Sequence, residues 1–123
     1  MNYNDIYDDF IKIFPDDITI FEKLAEENAA YKEDGMHIVF GMIVVPYLIQ
    51  IVKNDKEKAK KAFDYIEDME KSGNPKISEV VEFTILESLV DLDDKSILES
   101  CIDYMGDETK EALNSISDWF KIY

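Results

Sequence analysis

HIVFGMIVVPYLIQIV, residues 37–52, contains none of the chain's 28 acidic and 13 basic side chains. With so much charge packed into the rest of a 123-residue chain, this stretch has to be the inside of the fold. It falls short of the roughly 20 apolar residues that cross a bilayer, and His37, Pro46 and Gln50 interrupt it. Its length favours a helix over a buried strand despite the abundance of Val and Ile. The expectation is a central apolar helix, about 37–53, with amphipathic helices wrapped around it. Pro46 brings no backbone donor, and its ring crowds the carbonyl of Met42. A kink near Val45 and Pro46, or a break with Pro46 opening a second segment, is therefore expected. Gly41 leaves room for a neighbour to come close.

Working outward, the flanking segments carry apolar residues at helical spacing. Asn4 to Phe14 shows Ile6, Tyr7, Phe10, Ile11 and Phe14, with Asn4 as its cap and Pro15 as its stop. Asp16 or Asp17 is placed to cap a second helix with Ile20, Phe21 and Leu24 on its inner side. After the apolar helix, Asn54 with Glu57 three residues on reads as a capping box for a helix over 55–71, striped by Ala59, Ala62, Phe63, Ile66 and Met69. Gly73 stops that helix, and Asn74 followed by Pro75 starts the next. The helix from Pro75 to about Leu92 has two adjoining apolar rows, one of them Phe83, Leu86 and Val90, which predicts deep burial of both. Asp91 to Asp94 caps a short helix bearing Ile97, Leu98, Cys101, Ile102 and Met105. Gly106 ends it, and Asp107 caps a last helix striped by Ala112, Leu113, Ile116, Trp119, Phe120 and Tyr123. No sustained period-two alternation is present. The predicted fold is all-α, a single domain over 1–123 of six or seven helices, either a globular bundle or a short irregular HEAT-like array. No repeat near ~40 residues is present, which favours the bundle.

The formal net charge is −15, and every base is a lysine. A field of that sign repels nucleic acid and anionic membrane and attracts basic proteins. The excess is regional: residues 73–94 hold six acids against one base, whereas 55–72 hold six against five. Lys56 to Lys61 is the only basic cluster, interleaved with Glu57 and followed by Asp64, and reads as a solvated face. The chain opens without a charged segment leading into an apolar run, and one cysteine permits no internal disulfide, so a cytoplasmic location is expected. Cys101 sits at helical spacing from Ile97 and Leu98 and is expected to act as a small buried hydrophobe.

Chemistry-bearing patterns are missing. The single histidine cannot make the Glu-x-x-His pairs of a di-iron bundle, and neither KEDG (residues 32–35) nor DLDD (residues 91–94) begins a calcium loop. His37 is expected to be a hydrogen-bonded group at the start of the apolar helix. There is no G-x-S-x-G, no glycine-rich phosphate loop, and no plausible Cys-His pair beyond Cys101 with His37. No metal, cofactor or catalytic residue is expected, and the chain is not expected to be an enzyme. Tyr3, Tyr47, Tyr65 and Tyr104 are the tyrosines expected to reach the surface as interface anchors.

A small, acidic, cysteine-poor, motif-free helical chain of this kind resembles the immunity proteins of bacterial contact-dependent inhibition and related polymorphic toxin systems. The resemblance is of type, size and charge, and it includes PYLIQIVKND (residues 46–55) and ISEVVEFTILESLVD (residues 77–91). It implies a stoichiometric inhibitor that covers the active site or substrate surface of a cognate toxin's C-terminal domain, often a basic nuclease. The alternative is an acidic adaptor with an endogenous partner; a nucleic-acid mimic would carry the same charge. The charge clustering nominates Glu79, Glu82, Asp91, Asp93 and Asp94, with Tyr104 nearby, as the partner-binding surface. Asp8, Asp9, Asp16 and Asp17 form the rival patch.

Overall fold

A computed structural model describes the backbone of residues 1–120 and the side chains through Ile116. Trp119, Phe120 and Tyr123, expected in the last stripe, lie outside the described side chains. Seven helices form a globular bundle with no strand among the described residues. They are α1 (Ile6–Lys12), α2 (Ile18–Asn28), α3 (Met36–Asn54), α4 (Lys56–Glu70), α5 (residues 75–90), α6 (Lys95–Ile102) and α7 (Asp107–Phe120). Short 3₁₀ turns at Tyr3–Asp5, Pro15–Asp17 and Lys32–Asp34 precede α1, α2 and α3.

The apolar stretch becomes α3, and it is the centre of the core. Val39, Phe40, Val44, Tyr47 and Leu48 are fully buried there, α2 packs across its middle, and its second half lies against α4 and α6. At 19 residues with a mean hydropathy of 1.7 it is longer than its uncharged stretch and passes the length and composition test for a membrane span; half of that window is buried inside the fold.

Pro46 does not break α3. A π turn over Phe40–Val44 precedes it, in which the N–H of Val45 donates to the carbonyl of Phe40, five residues back. The wider turn makes room for the ring, and the carbonyl of Met42, which Pro46 cannot serve, accepts a hydrogen bond from Asn28 Nδ2 of α2 at 2.9 Å. Asn28→Ala is therefore expected to cost about 1 kcal/mol in urea unfolding, and Asn28→Asp more, because a carboxylate would face that carbonyl. A variant as stable as the parent would show that solvent serves the Met42 carbonyl equally well.

Helix α5 contains a second π turn, Val80–Leu86, between α-helical segments Pro75–Glu79 and Glu87–Val90. The extra residue per turn rotates the register. Val80, Val81, Ile85, Leu86 and Leu89 go into the core, but Phe83, expected in the buried row with Leu86 and Val90, is 58% exposed. The two π turns pack against each other. Gly41 lies at this contact, where an added Cβ would come within 3.2 Å of Thr84 Cγ2 and oblige that side chain to give way slightly.

Several caps differ from expectation. Asp55, not Asn54, accepts from Lys58 N to start α4, while Asn54 ends α3 and donates to the Gln50 carbonyl. Asn2 accepts from Asn4 N in the first 3₁₀ turn, so Asn4 is no cap. Asn74 and Asp94 do cap α5 and α6, and Cys101 is fully buried, its thiol pushed up to about 12 by burial.

Candidate functional site

Two features of the fold involve polar chemistry that the core does not require. One is internal. Asp17 reaches the position of an α2 cap, but its side chain turns inward instead. Its Oδ2 accepts from the Tyr47 hydroxyl at 2.5 Å and from Lys58 Nζ at 2.8 Å. Tyr47, expected to emerge at the surface, is fully buried among Phe10, Phe14 and Phe21, with a ring-centroid distance of 4.4 Å to Phe21. Burial opposes the charge on Asp17, yet the bonds from Lys58 and Tyr47 outweigh it and hold the carboxyl below its usual range. The hydroxyl of Tyr47 is raised in turn by burial and by the Asp17 carboxylate. This triad ties the turn before α2 to α3 and α4. It removes Asp17 from the rival acidic patch.

The other feature is a carboxyl group cluster where α4, α5 and α7 meet. Glu67 of α4 accepts from the backbone N–H groups of Glu108 and Thr109, at 3.0 and 2.9 Å, and from the Thr109 hydroxyl at 2.7 Å. Burial alone would raise its pKa, but these three bonds lower it. The start of α7 is thus capped by a residue 40 positions earlier, and not by Asp107. One turn on, Glu70 is pushed up to about 8 by burial and by the Glu82 carboxyl beside it on α5. Its Oε2 is buried and has no hydrogen-bond partner, so nothing there offsets the cost of burying the charged form.

The sign of that pairing makes a testable prediction. A glutamate whose pKa is raised in the native state stabilises the fold fully below the usual glutamate range and loses that contribution as pH climbs towards 8. Glu70→Gln, which carries no charge to desolvate or to repel Glu82, should be more stable than the parent at pH 8 by about 1–3 kcal/mol after solvent screening, and nearly equal to it at pH 4. Thermal melts at the two pH values decide it; a constant difference would mean that Glu70 titrates normally.

Of the residues nominated from the sequence, Glu79 is exposed on α5, and Asp91 and Asp93 are exposed in the turn after it. Asp94 is engaged as a cap by Ser96 N and Ser96 Oγ, at 3.0 and 2.5 Å. Glu82 is partly buried against Glu70. Tyr104 stacks on Phe63, centroids 6.4 Å apart and planes 17° apart, so it belongs to the edge of the core. The nominated ridge therefore keeps Glu79, Asp91 and Asp93 as free carboxylates.

What the periodicity missed is the surface beside that ridge. His37 Nδ1 and Thr84 Oγ1 are hydrogen-bonded at 2.6 Å across the α3–α5 seam. Three exposed apolar side chains each adjoin a seam residue in sequence (His37, Gly41 or Thr84): Ile38 (40%), Met42 (42%) and Phe83 (58%). Among the described residues no group of three or more His, Cys, Asp or Glu side chains is arranged to hold a metal ion. A shallow cleft of about 550 Å³ lies between Tyr3–Asp5 and Lys32–Met36, and beside it Lys32 pairs with Asp8.

No curated protein and no solved structure matches the chain. The family model described as Domain of unknown function (DUF7674) matches residues 7–120, from α1 to the end of α7, and the chain belongs to that family.

Proposed function

We propose that this protein acts by binding a basic protein partner, and that the partner is a toxin domain which it neutralises in the cytoplasm by covering the active site or substrate surface, without catalysis or cofactor of its own. The observation that carries this reading is the coincidence of an exposed carboxylate with an exposed apolar side chain on α5: Glu79 and Phe83 are both exposed on the same helix, in a chain of net charge −15. Negative potential raises the rate of encounter with a basic cleft and selects against anionic competitors such as nucleic acid. Affinity then rests on a few desolvated anchors within an interface of roughly 1,600 Å². The immunity proteins of polymorphic toxin systems, which the sequence resembles in type, work in this way, and a basic nuclease is the toxin that such a surface suits best.

Charge reversal tests it. Glu79→Lys, Asp91→Lys and Asp93→Lys together alter three exposed side chains without touching a cap or the Glu70 pair. Binding to the cognate toxin domain should weaken by well over tenfold, mostly through slower association, and the parent's affinity should fall with added salt. Unchanged affinity would place the interface elsewhere.

A further inference from the structure

The surface beside the acidic ridge has a shape as well as a charge. Gly41 and Thr84, both partly exposed, meet at the crossing of α3 and α5 and present only a hydrogen and a small side chain. Ile38 and Met42, one turn apart, stand beside this line on α3, and Phe83 stands beside it on α5. Helical spacing thus sets apolar side chains on either side of a low seam, the α3–α5 furrow. Its presence follows from the two facing π turns, since without the one in α5 Phe83 would share the buried face of Leu86 and Val90.

The charged groups around the furrow are acidic. Glu79 and Glu87 lie one turn before and after Phe83, and Glu33 and Asp34 precede the start of α3. The nearby bases are occupied: Lys76 lies over the Tyr3 ring, 5.5 Å from its centroid, and Lys32 pairs with Asp8. A second copy of so acidic a chain would bring like charge against like charge, and the described part of the chain offers no strand edge for an extended peptide to join.

We infer that the α3–α5 furrow is the docking site for an amphipathic helix of the partner, whose apolar side chains meet Ile38, Met42 and Phe83 and whose flanking lysines or arginines meet Glu79, Glu87, Glu33 and Asp34. The inference rests on the reading of a basic protein partner and specifies what that partner presents. Phe83 is the anchor, and the carboxylates set the sign of what may approach.

A helical peptide of about eighteen residues with leucines on one face and lysines on the other is a suitable probe, with a leucine–glutamate peptide of the same pattern as its control. Titration of the lysine peptide should shift the NMR signals of the Ile38 and Met42 methyls and the Phe83 ring. Phe83→Ser and Met42→Ser should each weaken it by about tenfold, while Asp16→Lys, at the far acidic patch, should have little effect. Both serine variants replace exposed side chains, and unchanged melting curves will confirm that they fold. Equal binding of the glutamate peptide, shifts confined to the N-terminal acids, or full affinity in Phe83→Ser would overturn the inference. The two levels separate cleanly with the toxin domain as ligand. Neutralisation that survives Phe83→Ser overturns the furrow and leaves the immunity reading standing. Peptide docking in the furrow without neutralisation of the toxin supports the furrow and overturns immunity.

Discussion

Asp17→Ala is expected to lower the unfolding free energy by about 3–5 kcal/mol, a large share of the 5–15 kcal/mol typical of a domain. The reason lies in what the substitution leaves behind. Tyr47 is fully buried, and without Asp17 its hydroxyl has no acceptor among the phenylalanines around it. Lys58, partly exposed, would lose its partner but can turn to water, so the tyrosine carries most of the cost. Tyr47→Phe should accordingly cost less, about 1 kcal/mol, because it removes donor and demand together. In the Tyr47→Phe background the effect of Asp17→Ala should shrink, and an additive double-mutant cycle would show that the two residues do not act as a unit. The same triad contributes to the acid limb of stability, as does Glu67. A carboxyl held below its usual range contributes stability that is present above the unfolded-state pKa and lost as pH falls through the native one.

Glu67→Ala is the second large effect, about 2–4 kcal/mol. It strips the start of α7 of the acceptor for two backbone N–H groups and leaves the hydroxyl of Thr109, which is fully buried, without a partner. Gly106 belongs to the same device, since a Cβ at that position would collide with the Glu67 side chain. Gly106→Ala should displace Glu67 and reproduce part of the loss, so the double variant should be markedly less destabilised than the sum of the two. Denaturant titration of the four proteins measures this. Full additivity would mean that Gly106 matters for its backbone alone.

Local signals in the sequence were sufficient where the structure is local. Asn74 before Pro75 and Asp94 before Lys95 cap the helices they precede, because a cap is made within three residues. The uncharged stretch is the core helix, because burial is a property of composition over many residues. The difficulty with Pro46 was legible as well, down to the carbonyl of Met42, but its resolution was not. That required Asn28 to arrive from another helix. The same holds for Glu67 and Asp17, whose periodicity marks an ordinary polar face or cap and whose partners lie 30 to 42 residues away.

The candidate surface was half legible for a related reason. Charge clustering picks out Glu79, Asp91 and Asp93 because solvated carboxylates need no partner to be recognised. Apolar periodicity puts Phe83 in the core because it assumes 3.6 residues per turn, and a π turn violates that assumption at this position. Tyr104 and Tyr47 show the converse. A tyrosine beside acids looks like an interface anchor in sequence, and here one edges the core and the other is enclosed within it.

The measurement that bears most directly on the proposed function is a calorimetric titration of this protein with the C-terminal domain of a candidate toxin, sought among the products of genes adjoining its own, paired with an assay of that domain's nuclease activity. One-to-one binding with loss of nuclease activity at stoichiometric addition, and recovery of activity with the Glu79→Lys, Asp91→Lys, Asp93→Lys variant, is the predicted result. Absence of binding, or a nuclease that remains active in the complex, would contradict it.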